Sequence, residues 1–313
     1  MWRREGRPPG RLPRSVGIDG RIKKRRESRD RAMSPTWDQI QRAAYERWER
    51  RGWAHGADQD DWVAAEMDLN FQWNYRPAAE YPAESVEPIV IAPRSQPNCR
   101  FCERSAPRAK FSKPRPVVPE VVGATSLFSG ETCDECHEQF SGSIDADFAT
   151  FWRALVEAER NGGAAPATVG IGAYKALVRM AIAIMPAREL THFEDTLEWV
   201  GNPDHDFDSS LFAGTGCLVY RAHRPPEVPW VSLSRRTTDA PLPYAVFVLA
   251  SGSHLVEIAP PLCARDQDHD EALHLPPRSF TTGHGADARS AARRLLPLES
   301  PERPRRRGMR LFA

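Results

Sequence analysis

Four of the six cysteines fall in two Cys-x-x-Cys pairs, Cys99/Cys102 and Cys133/Cys136, with thirty residues between the pairs. Thiolates at i and i+3 of a tight turn reach one metal ion, and two such pairs complete a tetrahedral shell. Zn²⁺ favours that sulfur-rich shell, and a four-cysteine site leaves no open position for chemistry, so the pattern predicts a structural zinc centre. The competing readings are a redox dithiol or two disulfides. No secretory signal precedes the cysteines and no thioredoxin-like βαβ unit surrounds them, which sets both aside. Cys217 and Cys263 are left over and are expected to be free thiols, in keeping with a reducing cytoplasm.

The elements that must position these cysteines follow from periodicity. Residues 36–51 carry Ile40, Ala44, Tyr45 and Trp48 along one helical face, and Gly52 ends the helix. After a turn at Gly56, Asp58 or Asp60 caps a second helix through Trp62, Ala65, Glu66 and Leu69. The expected result is a helical hairpin over 34–72 with Tyr45, Trp48 and Trp62 between its arms. Residues 73–97 are rich in proline and polar side chains and read as a linker, with one short strand candidate at Ile89–Ile91.

Beyond the cysteines, 145–160, 173–185 and 187–200 read as helices. The segments 216–222, 230–234 and 244–258 alternate or run apolar with β-branched residues and read as strands of a small sheet. The fold class expected is α+β. From 263 to 313 the chain is polar and Arg/Pro-rich, which predicts disorder.

A net charge of +1 conceals an uneven distribution: +8 over residues 1–33, +6 over 288–313 and −13 over the body between them. Basic ends attract nucleic acid, whereas an acidic body repels phosphate. Met33 stands directly before Ser34-Pro35, a plausible helix start, so 1–33 is either a basic tail or an untranslated leader. No run approaches the roughly 18 apolar residues of a membrane span, so no membrane partner is expected.

Two stretches resemble known families. "Gln41-Arg-Ala-Ala-Tyr-Glu-Arg-Trp-Glu-Arg-Arg-Gly52 … Gly56 … Asp61-Trp62 … Ala65-Glu66" resembles a small bacterial helical domain of unknown function, which implies a fold and no chemistry. "Cys99-Arg-Phe-Cys102 … Phe111-Ser-Lys-Pro-Arg-Pro-Val-Val-Pro-Glu120 … Gly123 … Cys133-Asp-Glu-Cys136-His137 … Phe140", with the helix "Tyr174-Lys-Ala-Leu-Val-Arg-Met-Ala-Ile-Ala-Ile-Met-Pro186", resembles the four-cysteine branch of HNH endonuclease-like proteins. That resemblance implies a treble-clef or ββα-metal core over 98–262, in which zinc pins a knuckle against the start of a helix. It also implies cleavage of DNA by a histidine base working beside a divalent cation, Mg²⁺ or Mn²⁺.

The departures from that family carry more weight than the match. The base position is Pro116, which has no proton to exchange, and no asparagine lies between Gly123 and Cys133. His137 stands where the wider family keeps a metal-binding histidine. Glu120 is the nearest other titratable group, and its alternative role is to support a turn. Arg108, Lys110, Lys113 and Arg115 form the candidate nucleic-acid contact, or a solvated face. The resulting expectations are a zinc protein related to HNH nucleases with cleavage impaired or lost and DNA as a partner, a protein-interaction module, or an active nuclease with relocated groups.

Overall fold

Thr36 starts the first described helix with a reciprocal cap. Its side chain accepts from the Gln39 amide while the Gln39 side chain accepts from the Thr36 amide, which satisfies two amides that a helix start leaves without partners. This helix, α1 (Trp37–Arg50), runs into α2 (Asp58–Asn74) through Gly52 and Trp53, both at positive φ. The structure, a computed structural model, describes residues 34–92, 98–123, 126–201, 216–222, 225–267, 273–280 and 293–299. The basic tail expected at 1–33 lies outside them.

The hairpin is present, but its aromatic residues are arranged differently from the expectation. Tyr45 is 49 % exposed and Trp37 61 %, while the inward positions of α1 are Ile40 and Arg47. Arg47 is buried because it forms an ion pair with Asp68 of α2 and donates to Ser279 Oγ at 2.9 Å. The Ser279 amide in turn donates to Asp68 at 3.0 Å. A charge buried with such partners outcompetes an aromatic ring for the inner face.

Within the span expected as a linker, residues 75–82 and 89–91 form strands. α2 leads directly into β1 (Tyr75–Pro82), which pairs antiparallel with β6 (Trp230–Arg236), and β2 (Ile89–Ile91) pairs with β4 (Leu127–Ser129). The prolines that suggested a linker are tolerated because β1 is a sheet edge. Pro77 stands at a shift of register and Pro82 at the strand end, where no ladder amide is needed.

β1 opens a six-stranded antiparallel sheet of order β1-β6-β7-β8-β5-β9, with β5 (Gly216–Arg221), β7 (Ala245–Ser251), β8 (His254–Ile258) and β9 (Arg293–Pro297). The run expected over 244–258 is thus a hairpin, turned at Gly252, whose φ of +54° suits a residue without Cβ. The tail expected to be disordered supplies β9 and also residues 273–280, whose Phe280 and Leu275 cover one face of the sheet. That face holds Leu218, Tyr220, Trp230, Val248 and Leu255, while the alternate residues Val219, Val231, Phe247, Leu249 and Val256 join the main core.

The main core is built around α5 (Ile171–Ile184), in which every residue from Ala173 to Ile184 is buried. α4 (Ile144–Asn161) packs against it through Phe148, Phe151, Trp152 and Leu155. Past Pro186 the single helix expected over 187–200 is two, α6 (Ala187–Leu190) and α7 (Glu194–Gly201), separated at Thr191–Phe193. A second, three-stranded sheet of order β2-β4-β3, with β3 (Arg115–Pro116), and the helix α3 (Asp134–Gly142) carry the cysteines. The α+β class is therefore correct. No helix among the described residues is long and apolar enough to cross a membrane.

Candidate metal centre

The first cysteine pair sits on a tight turn closed by a bridge between Asn98 and Ser105. The Cys99 amide donates to the Arg104 carbonyl at 2.9 Å, and the Glu103 amide donates to the Cys99 carbonyl at 2.9 Å. The second pair opens α3: Cys133 is its cap, with Sγ accepting from the Cys136 amide at 3.5 Å. Between them run β3 and β4, so a knuckle, a short antiparallel pair and a helix start converge.

The four Sγ atoms lie within 4.8 Å of one another. Cys99 and Cys136 are separated by 3.7 Å, as are Cys102 and Cys133. A tetrahedron with Zn–S bonds of about 2.3 Å has sulfur–sulfur edges of about 3.8 Å, so the donor set and its size fit that ion. Three of the sulfurs are buried and Cys102 is half-buried. Four thiolates this close repel one another unless a cation stands among them. Without one, the hydrogen bond shared with Cys136 draws the Cys99 thiol down to about 5, while burial pushes Cys133 up to about 11. Cys136, the other partner in that bond, is raised. The remaining cysteines behave differently: burial pushes both Cys217 and Cys263 up to about 12, so they are packed thiols rather than nucleophiles.

The centre is tied to the main core by contacts that spacing does not reveal. Arg100, between the first two cysteines, has a buried guanidinium paired with buried Glu131. The same group donates to the carbonyls of Ile182 at 2.7 Å and Met185 at 2.5 Å, at the C-terminal end of α5. Phe101 meets Phe140 edge to face with ring centroids 4.9 Å apart. Gly201, ending α7, has no room for a side chain, because a Cβ there would stand 2.6 Å from the Phe101 carbonyl oxygen. A cavity of about 250 Å³ opens beside Cys99, lined among others by Asn98, Glu103, Leu190, Thr191 and Leu197.

The other candidate residues are dispersed. Pro116 lies in β3 opposite Phe128 of β4. His137 is half-buried on α3, with Nδ1 3.5 Å from Ser141 Oγ. Burial holds its imidazole below the usual value, and Arg115, Arg179 and Lys113 push in the same direction. Glu120 is exposed on a single 3-10 turn, Glu120–Val122, away from any metal-capable cluster among the described residues. Arg108, Lys110 and Lys113 are exposed, but Arg115 is turned inward and pairs with Asp134 at 2.7 Å. Hydrogen bonds from Ser112 and the pair with Arg115 hold the Asp134 carboxyl down at about 2.

Residues 35–70, the span of α1 and most of α2, match a family described as a protein of unknown function, DUF2934. Comparison with curated proteins and with solved structures returns no match. The family covers the hairpin only and leaves the cysteine module and the large sheet to be argued from their own geometry.

Proposed function

We propose that the protein is a zinc-stapled relative of HNH endonucleases whose phosphodiester cleavage is impaired or lost, and which acts by binding. Zn²⁺ on Cys99, Cys102, Cys133 and Cys136 has a structural role: it holds a treble-clef-like knuckle, hairpin and helix together, and a cytoplasmic setting, where thiols stay reduced, suits such a site. The observation that carries the reading is the four-cysteine shell, taken with Pro116 where the HNH resemblance calls for a histidine base. A general base contributes ~10²–10⁴-fold to such a reaction, and proline supplies none of it.

The surroundings of His137 support the same conclusion. His137 belongs to no metal-capable cluster among the described residues, and of the charges that act on it the cations Arg115, Arg179 and Lys113 outnumber the one carboxylate, Asp145. Glu120 is an exposed side chain in this reading and helps the turn rather than the chemistry. If DNA is bound, the exposed Arg108, Lys110 and Lys113 meet its phosphates, with the arginine-rich ends adding affinity that falls steeply with salt.

A second reading, a protein-interaction module, is favoured by one feature of the hairpin. Trp37, Tyr45 and Trp53 are 61 %, 49 % and 54 % exposed. Exposed aromatic rings are enriched where proteins meet.

Plasmid nicking tests the loss of cleavage. Wild-type protein, P116H and H137A are incubated with supercoiled DNA and Mg²⁺ or Mn²⁺. The proposal expects no cleavage by wild type above a metal-free control, and either no gain or a weak gain in P116H. Robust Mg²⁺-dependent cleavage by wild type that disappears in H137A would overturn it and show a rebuilt active site.

A further inference from the structure

Cys102 is the one ligand of the four that solvent reaches, and a charged side chain guards it. Arg104 Nε–H donates to Cys102 Sγ at 3.3 Å. The other end of that guanidinium bonds Glu135 Oε2 at 2.9 Å, and Glu135 lies between Cys133 and Cys136 in the first turn of α3. The Arg104 carbonyl meanwhile accepts from the Cys99 amide at 2.9 Å, which fixes where its side chain departs. Arg104 thus spans the two halves of the shell from outside, one contact on a sulfur of the first pair and one on the helix that carries the second.

We propose that Arg104 is a positioning residue for the metal centre, a latch that keeps the Cys102 thiolate in the shell and sets the rate at which metal leaves. The inference rests on the reading that the four cysteines hold Zn²⁺. A zinc ion with four thiolates carries a formal charge of −2, and a charge-assisted N–H···S bond disperses part of it at one sulfur. Metal loss starts when a thiolate detaches. Cys99, Cys133 and Cys136 are shielded by the core, so Cys102 is the ligand that detaches first. The guanidinium bonded to its sulfur must let go before Cys102 can swing out of the shell. Glu135 holds it there, although the pair is half-exposed, with 46 % and 52 % side-chain exposure, and therefore sensitive to ionic strength.

The test follows zinc release from the purified full chain into excess 4-(2-pyridylazo)resorcinol by absorbance at neutral pH. Replacing partners of this kind typically costs 10–100-fold in metal affinity, so Arg104→Gln is expected to speed release by roughly tenfold or more. Arg104→Lys should fall between, since an ammonium keeps the charge but lacks the fork that reaches sulfur and carboxylate together. Glu135→Gln, which frees the guanidinium without removing it, should give a smaller acceleration, and it serves if Arg104→Gln does not fold. Raising salt should speed wild-type release and leave Arg104→Gln unchanged. Wild-type release rates in zinc-loaded Arg104→Gln, or in Glu135→Gln where the former is unfolded, would overturn the role of Arg104 alone. A wild-type protein that elemental analysis finds free of zinc would overturn the metal reading beneath it.

Discussion

Arg100 and Glu131 are joined twice. The Arg100 amide donates to the Glu131 carbonyl at 2.8 Å, and its Nε–H donates to the Glu131 carboxylate at 3.1 Å. Both side chains are 5 % exposed. Because the same guanidinium also bonds the last carbonyls of α5, it transmits the position of the cysteine turn to the most buried helix of the molecule. Carbonyls at a helix C-terminus are short of intrahelical donors, and a cation there is favoured electrostatically.

Truncating this arginine should therefore cost far more than a surface ion pair. Arg100→Ala removes the guanidinium that faces the buried Glu131 carboxylate, and a loss of ~3–5 kcal/mol is expected from urea denaturation. The double variant Arg100→Leu with Glu131→Leu removes both charges and should recover a good part of that loss. If Arg100→Ala lost under about 1 kcal/mol, the value of an exposed pair, the link between knuckle and core would be unimportant.

The metal centre should be a condition of folding for its module. Cys133 contributes both a sulfur donor and the cap of α3, so Cys133→Ser is expected to abolish zinc binding and to melt the cysteine module well below wild type. Wild-type protein should retain about one Zn²⁺ per chain through gel filtration, and a chelator should reproduce the effect of the substitution. A chelated protein with an unchanged melting curve would argue against a structural metal.

What the sequence reveals and what it conceals divide along a physical line. α1, α2, α4 and α5 are legible because local signals specify them: the Gly52 stop and apolar positions at helical spacing. The four cysteines are legible because two i, i+3 pairs suffice to describe a ligand set. β1 and β9 are not, because edge strands tolerate proline and charge and their only reward is a long-range ladder. Arg100 and Arg104 are equally hidden. Each looks like a solvated knuckle residue until the fold brings Glu131, α5 and Glu135 beside it. The inversion of Tyr45 and Arg47 has the same cause, since the partner that buries Arg47 includes Ser279, more than two hundred residues away.

That contact makes a prediction about domain organisation. With β1 in the large sheet and Arg47 bonded to Asp68 and Ser279, the hairpin is an extension of the sheet rather than an appendage on a linker. Limited proteolysis should spare 75–82, and ending the chain after residue 262 should lower the melting temperature by removing Ser279, Phe280 and β9. Asp68→Asn should destabilise the hairpin by ~1–3 kcal/mol, the range for a weakened charged hydrogen bond. Rapid cleavage within 75–82, leaving an intact cysteine module, would restore the linker interpretation.

A last prediction concerns acid. His254 is buried, its ring edge-on to Trp152 at 6.1 Å and its Nδ1 3.7 Å from Glu159. Burial pushes the imidazole below its usual 6.5; Glu159 opposes this and Arg221 adds to it. Glu159 ends below the ordinary carboxylate value of 4.5: burial acts to raise it, but the hydrogen bond from Ser253 and the charges of His254 and Arg221 prevail. Both folded-state values are depressed, so at acid pH the unfolded chain binds the protons that the folded one refuses, and stability falls as pH falls. For His254 the contribution is complete above 6.5 and is lost as pH drops below it; for Glu159 the loss begins below 4.5. His137, likewise lowered by burial, draws on the first window too. Urea midpoints measured from pH 7.5 to 5 should therefore decline in wild type and decline less in His254→Gln, with His137→Gln removing a further share. A His254→Gln profile parallel to wild type through that window would show that Glu159 cancels the effects of burial and Arg221 on this imidazole.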